Sequence, residues 1–280
     1  MKLAHLILAH NEPVQLERLV KRLLHPEATI YIHLDKKTNI APFKYLQEIE
    51  SVIFIDKRIK IYWAASNMVK ATLNGFKQII ASGNNYDYVN LLSGQDYPLK
   101  SQPDIHNYLS QNPGKAFMNY LLFNPDWLEA FQRTQSYHFN NWQFFGRDHF
   151  QKIVNKIFPK RKFPNQMIPV GRSQWFTISL ECTIYLIDYW ENNKSLRHFV
   201  KFTWAPDEFI FQTILYNSVH RNKMVNDDLR YIDWSAGGVS PKILTMDDAE
   251  KLVSCGKLFA RKFDAKKDEA VLNFIDKSIG

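Results

Sequence analysis
Only two cysteines, Cys182 and Cys255, occur in 280 residues. That excludes a disulfide framework, leaves no zinc motif, and fits a reducing compartment. No apolar run approaches the roughly 18 residues of a membrane span. The opening "MKLAHLILAHNEP" is too short and too interrupted for a secretory leader and reads as a first buried strand. A Walker A motif, G-x-G-x-x-G, G-x-S-x-G and H-E-x-x-H are all missing. Their absence removes support from P-loop, dinucleotide-binding, serine-hydrolase and metalloprotease chemistry. No D-x-D occurs either. An enzyme that departs a diphosphate without acids to hold a metal must supply the positive charge from Arg or Lys.

What is present is globular: 45% of the residues are apolar, 14% of the chain is aromatic, and the net charge is +8. The charge is gathered in two runs, Lys156, Lys160, Arg161 and Lys162, and then Lys257, Arg261, Lys262, Lys266 and Lys267. Runs of this kind are solvated surface in most proteins, and a basic face also suits an anionic membrane or a phosphorylated substrate. No helix-turn-helix, zinc finger or ribonucleoprotein motif points to nucleic acid.

Periodicity gives strands at "LAHLILA", "TIYIHLDKK", "SVIFID" and "YDYVNLLSGQDYPL", alternating with helices at "EPVQLERLVKRLL", "APFKYLQEIE" and "SNMVKATLNGFKQIIAS". The first ~110 residues therefore read as an α/β unit with a mainly parallel sheet flanked by helices. Ligands of such sheets bind beyond the carboxyl ends of the strands. The residues placed there are Ala9-His10-Asn11, His33-Leu34-Asp35-Lys36 and Ser93-Gly94-Gln95-Asp96. His10 and His33 would equally serve as hydrogen-bonded strand histidines, and Asp35 as the cap of its turn.

Residues 113 to 170 read as loop-rich, aromatic and basic. "SQWFTISLECTIYLIDYW" reads as a strand entering a helix, "LRYIDWS" as a short strand, "TMDDAEKLVSCGKLFARKFD" as a helix with a basic exit, and "DEAVLNFIDKSIG" as a final helix. No repeat or linker breaks the chain, so one domain is expected. In "WAPDEFIFQTIL", Pro206, Asp207 and Glu208 open an apolar-striped helix. Acids are favoured there by the helix dipole, which makes Glu208 either a helix-start residue or a carboxylate held at a cleft as general base. "LFARKFD" sets Arg261 beside Lys262, and "LRYIDW" adds Arg230.

The segments "ILAHNEPVQLERLV", "IHLDKKT", "LLSGQDYPLKS", "GRSQWFTISLE", "APDEFIFQTIL" and "LFARKFD" fall in an order that resembles the core-2/I-branching enzyme family, glycosyltransferase family 14. The resemblance runs over roughly residues 3 to 277. It implies a single GT-A-like domain over residues 1–280, with a nucleotide-binding half in 1–110 and an acceptor-binding, catalytic half in 111–280. It further implies an inverting, metal-independent transfer from a UDP-sugar, with UDP-N-acetylglucosamine expected first and UDP-xylose second. By the same resemblance Glu208 is the catalytic base, and Lys262, Arg230 and the adjacent Arg261 receive the diphosphate. His10, Asn11, Asp35, Tyr62, Trp63 and Ser66 fall on the nucleotide side. Gln95, Asp96, Ser173, Gln174, Trp175 and Asp207 fall near the donor sugar or the acceptor, although Trp175 would equally suit a core. No cofactor and no metal are expected, and the expected partner is a glycan or lipid-linked acceptor. The chain shows no anchor, stem or cysteine set of the animal enzymes, which points to a bacterial or cytosolic relative, cytoplasmic and at most peripheral to the inner membrane face. A non-catalytic sugar- or nucleotide-binding module on the same fold is the alternative.

Overall fold
In the computed structural model, residues 1–123 and 127–280 are described. The chain orders as β1 (Leu3–Ala9), α1 (Pro13–Leu23), β2 (Ala28–Leu34), β3 (Val52–Phe54), α2 (Asn67–Ala81), β4 (Tyr88–Ser93), β5 (Asp96–Pro98) and α3 (Gln102–Ser110). It continues with β6 (Ala116–Leu122), α4 (Glu129–Gln135), α5 (Arg147–Ile157), β7 (Val170–Ser179), α6 (Leu180–Asn192) and α7 (Lys194–Lys201). The last elements are α8 (Ile210–Tyr216), β8 (Met224–Val225), β9 (Arg230–Ile232), α9 (Ala249–Ser254), β10 (Phe259–Arg261) and α10 (Ala270–Ile279).

A seven-stranded sheet runs β3-β2-β1-β4-β7-β6-β8, and β5-β10-β9 form a small second sheet. β3, β2, β1 and β4 are parallel; β7 alone is reversed, pairing antiparallel with β4 on one side and β6 on the other. The expected mainly parallel sheet flanked by helices is what the chain adopts. β1 is buried at every position because both its faces are covered. Leu6 and Leu8 point into one core with Val69, Leu73 and Phe76 of α2. Leu3 and Ile7 point into the other with Leu16, Leu19 and Leu23 of α1. That second core is clamped at its rim. Arg18 of α1 donates to Asp276 of α10 at 2.7 Å, and the Tyr97 hydroxyl donates to the same carboxylate at 2.7 Å.

Several expectations are corrected. Residues 113 to 170, expected to be loop-rich, contain β6, α4 and α5; within them, residues 124 to 126 lie outside those described. α7 was not expected at all. "YDYVNLLSGQDYPL" is, as expected, a strand ending in a polar turn after Ser93; beyond expectation, Asp96–Pro98 past the turn joins the small sheet. The helix expected to run out through "LFARKFD" stops early. Gly256 sits in the left-handed region at φ 69, ending α9, and the basic residues begin on β10 instead. The α8 helix starts at Ile210, not Pro206. Pro206–Glu208 form a separate 3-10 turn, and Phe209, at φ −145, breaks the two apart. Among the described residues, no helix is long and apolar enough to cross a membrane.

Candidate active site
The carboxyl ends of β2, β1 and β4 lie side by side because the three strands are adjacent and parallel. They form one wall of a cavity of about 600 Å³ that includes His10, Asp35, Ser93 and Gln95. Asp35 is buried and does two things. Its Oδ1 accepts from the Lys37 amide at 2.9 Å, capping the turn, and its side chain also faces the cavity. Arg58 locks this strand end by donating to the Leu34 carbonyl at 2.9 Å and the Asp35 carbonyl at 2.7 Å. His10 lies on the rim; burial holds its imidazole below the usual range, partly offset by Asp35. His33 is a strand histidine: its Nε2 accepts from the Ile59 amide at 2.9 Å, and burial pushes it down to about 4.

The opposite wall comes from β7, β9, β10 and the 3-10 turn: Ser173, Gln174, Trp175, Glu208, Asp228, Arg230 and Arg261. Arg261 is 8% exposed, with its guanidinium 4.3 Å over the Trp175 ring. It lies 3.4 Å from Asp96 Oδ1, yet its Nε and Nη1 donate no hydrogen bond. Two buried N–H groups without acceptors are costly unless something else supplies an acceptor. Lys262 follows it, donating to Ser240 at 2.7 Å on the cavity edge, and burial together with the Arg261 charge lowers its ammonium.

Glu208 reaches the cavity by a constrained path. Ala205 adopts the left-handed region at φ 45, and its amide donates to the carbonyl of Ala64, itself at φ 54. Such strain in non-glycine residues costs on the order of 1 kcal/mol each and clusters at functional sites. On the other side of the turn, Phe209 packs edge-on against Phe123 at 5.3 Å. Beneath it runs Gly171 of β7, where a Cβ would fall 2.3 Å from the Phe209 Cα and 2.6 Å from the Glu208 carbonyl. Arg133 of α4 bonds Glu208 Oε2 and Glu129 Oε1. Its guanidinium is layered between Trp204 at 4.4 Å and Trp127 at 4.9 Å. Among the described residues Glu208 Oε1 has no protein donor, so one carboxylate oxygen is fixed and the other faces the cavity.

The cavity thus gathers His10, Asp35, Trp63, Gln95, Ser173, Gln174, Trp175, Glu208, Arg230 and Arg261. The remaining expected residues surround it. Asn11 is exposed on the rim loop. Tyr62 lines a neighbouring cavity of about 630 Å³ that shares Trp63 with the first. Ser66 is turned away, donating to Asn141 at 3.0 Å. Asp96 lies behind Arg261 and accepts from the Ser93 amide at 3.0 Å. Asp207, expected as a local cap or as a group that orients Glu208, is buried and makes no cap hydrogen bond, because α8 begins three residues further on. Arg230 is differently placed from Arg261: its two Nη atoms are already engaged by Asn90, Leu91, Phe176, Thr177 and Asp228, leaving only Nε unpaired. Its first task is to tie β9 to β4 and β7.

Sequence reasoning missed Arg133, Arg172 and Asp228. An acid in an ordinary short loop carries no signal. For Arg133 a weak one existed, the i,i+4 pairing with Glu129 inside an aromatic stretch. Among the described residues, no group of three or more His, Cys, Asp or Glu side chains stands where it could hold a metal ion.

Residues 3–252 match the family described as Core-2/I-Branching enzyme. Xylosyltransferase 2 of Rattus norvegicus is 25% identical over 308 residues, covering 99% of this chain and 33% of its own length. Beta-glucuronosyltransferase GlcAT14B of Arabidopsis thaliana is 27% identical over 293 residues, covering 99% of this chain and 66% of its own. The chain therefore spans a third of the rat relative and 66% of the plant one. Among solved structures, apo mouse xyloside xylosyltransferase 1 superposes with a TM-score of 0.42 at 12% identity, over 92% of this chain and 97% of that one. The bifunctional glycosyltransferase WbbM gives 0.45 at 11% identity, over 98% of this chain and 49% of its own.

Proposed function
Because the chain belongs to the Core-2/I-Branching enzyme family, we propose that it is an inverting glycosyltransferase that moves a sugar from a UDP-sugar to a glycan or lipid-linked hydroxyl. One observation carries the reading: a single cavity has a half-free carboxylate, Glu208, on one wall and a buried guanidinium with two unused N–H donors, Arg261, near enough to feel its charge.

In an inverting transfer an acceptor oxygen attacks C1 as the bond to the diphosphate breaks on the far side. The hydroxyl proton passes to Glu208, whose Oε2 is held by Arg133 while Oε1 takes the proton. Charge growing on the diphosphate meets Arg261 and Lys262, and this attraction is strongest in the transition state. These cations do the work that a metal does elsewhere, so the transfer is metal-independent. The nucleoside end lies toward Asp35 and His10 at the β1 and β2 ends, and the transferred sugar toward Gln95, Gln174 and Trp175. Residues 1–110 then serve as the nucleotide half and 111–280 as the catalytic half. As to the sugar, the relatives above are named for xylosyl and glucuronosyl transfer, which favours those two over the N-acetylglucosamine expected first.

The test is UDP release with UDP-xylose, UDP-glucuronic acid and UDP-N-acetylglucosamine as donors. Glu208→Gln keeps the turn's shape and removes the base, so kcat falls about 10²–10⁴-fold while the Kd for UDP holds. Near-full turnover by the variant would end Glu208's role. A wild-type protein that binds UDP and never turns over would favour the non-catalytic module.

A further inference from the structure
Surface helices bury an apolar stripe and turn polar residues to water. α5 does the reverse, since none of its eleven residues is buried. It is held to the body by Phe150 edge-on to Phe139 at 5.0 Å, by Phe158 against Tyr137 at 5.9 Å, and by polar side chains. Asn155 accepts from the Tyr137 amide at 2.7 Å and donates to the Tyr137 carbonyl at 2.9 Å, and Gln151 accepts from the Phe139 amide at 3.0 Å. Phe150, Ile153, Val154 and Ile157 recur at helical spacing, on a stripe roughly a third of a turn away from those two anchors. Ile157 is 71% exposed, and the flanking Phe158 and Phe145 are 54% and 105% exposed. Phe145 is as open as a side chain can be.

Beside the stripe stand Lys152, Lys156, Lys160 and Lys162, and among the described residues none of the four enters an ion pair. The second basic run is only partly free: Lys257 is paired with Asp227, Lys266 with Glu12, and Arg261 is buried, while Lys262 bonds Ser240 and Lys267 enters no ion pair among the described residues. Arg161, within the first run by sequence, is also a body residue, donating to the Ser136 and Phe202 carbonyls. The four unpaired lysines thus lie within the same segment, 145–162, as the exposed apolar side chains.

We infer that the face formed by α5 and its flanks, with Phe145, Ile157 and Phe158 as insertions and Lys152, Lys156, Lys160 and Lys162 around them, docks on an anionic lipid bilayer. Half-open aromatic and aliphatic side chains ringed by unpaired lysines match an interface of acyl chains beneath negative headgroups. A neutral or cationic partner would leave four positive charges without counter-charge. The position has a consequence for the acceptor, which rests on the transferase reading; the docking itself does not. Arg147, Asp148 and Gln151 on another side of α5 line the cavity that shares Trp63 and Arg133 with the site, so a docked protein would bring this second cavity close to the membrane, where a lipid-linked acceptor would reach it.

Vesicle flotation tests this with two compositions, phosphatidylcholine alone and phosphatidylcholine with about one-third phosphatidylglycerol. The wild type is expected to bind the anionic vesicles at least about tenfold better, and to lose that preference in high salt, which screens the lysines. Phe145→Ser with Ile157→Ser should lower anionic-vesicle binding at least about tenfold while circular dichroism and Tm hold, because both side chains are exposed. UDP release on a water-soluble acceptor should be unchanged by the pair, which separates a failure of docking from a failure of the transferase reading. Lys152→Ser with Lys156→Ser and Lys160→Ser should erase the preference for negative lipid. Equal binding to both compositions, or a double variant that binds like the wild type, overturns the inference. So does a wild-type dimer that the double variant converts to monomer in sedimentation, since a second copy would then cover the face.

Discussion

Asp207 sits under the turn that offers Glu208 to the cavity, 6% exposed, with no donor for its Oδ1. Burial, and then the neighbouring Glu208 charge, raises its carboxyl from 3.8 to about 7. The folded protein thus holds this proton more tightly than the unfolded chain does. The sign follows: the associated stability is complete below pH 3.8 and is lost as pH rises through about 7. The span corresponds to at most about 4 kcal/mol. Asp207→Asn should therefore be the more stable protein at pH 8, with the gap closing toward pH 4, as read by urea unfolding at each pH. His5, His33 and His106, held neutral by burial, work in the opposite direction. Their stabilisation is present above the ordinary histidine value of 6.5 and fades as pH falls toward 4. Both proteins carry that fade, so it cancels in the difference. A gap that stays constant with pH would mean Asp207 is ionised in the fold throughout.

At the scale of elements, β7 carries the turn that bears the base, and Gly171 is the point of contact. A methyl there must displace the backbone of Glu208 and Phe209, which cannot yield as a flexible side-chain tip would. Gly171→Ala should cost about 1–3 kcal/mol of stability by overpacking. On the proposed reading it should also lower kcat at least about tenfold through misplacement of Glu208, with UDP affinity held because the nucleoside end would rest on β1 and β2. Full activity in Gly171→Ala would show that the turn adapts. This contact was invisible in the sequence, where Gly171 is one glycine in a strand; its reason lies in a segment nearly forty residues on. The parallel strands were legible because continuous apolar runs such as "LAHLILA" signal burial on both faces. The second half was harder to read. β6 is an apolar run next to aromatic loops, and β10 is three residues that follow a helix with only Gly256 to mark the break. The motif singled out Glu208 as a candidate and the fold places it on the cavity wall, whereas Arg133, which holds it, required the fold to bring α4 to the turn.

The cavity as a whole takes walls from both halves of the chain, so a molecule filling it should bind only the complete fold. UDP at a hundredfold excess over its Kd should then stabilise the protein by about 2.7 kcal/mol, read as a rise in Tm. Excess EDTA should leave that rise intact. Arg261→Ala and Lys262→Ala should diminish it and slow turnover by roughly 10²–10³. A rise that vanishes with the chelator and returns with manganese or magnesium would remove these two residues from the role. The small sheet gives this dependence a temporal meaning. β10 slots between β5, made early, and β9, made late, and only that insertion seats Arg261 against Asp96 and Trp175. At ordinary synthesis rates of about 5–20 residues per second, the β1–β4 layer leaves the ribosome roughly 8–30 s before β10 does. During that interval the nascent protein has strand ends that could meet a nucleoside and nothing to receive its diphosphate. On the transferase reading proposed above, a half-made chain would be unable to spend donor, and competence would arrive in a single late step.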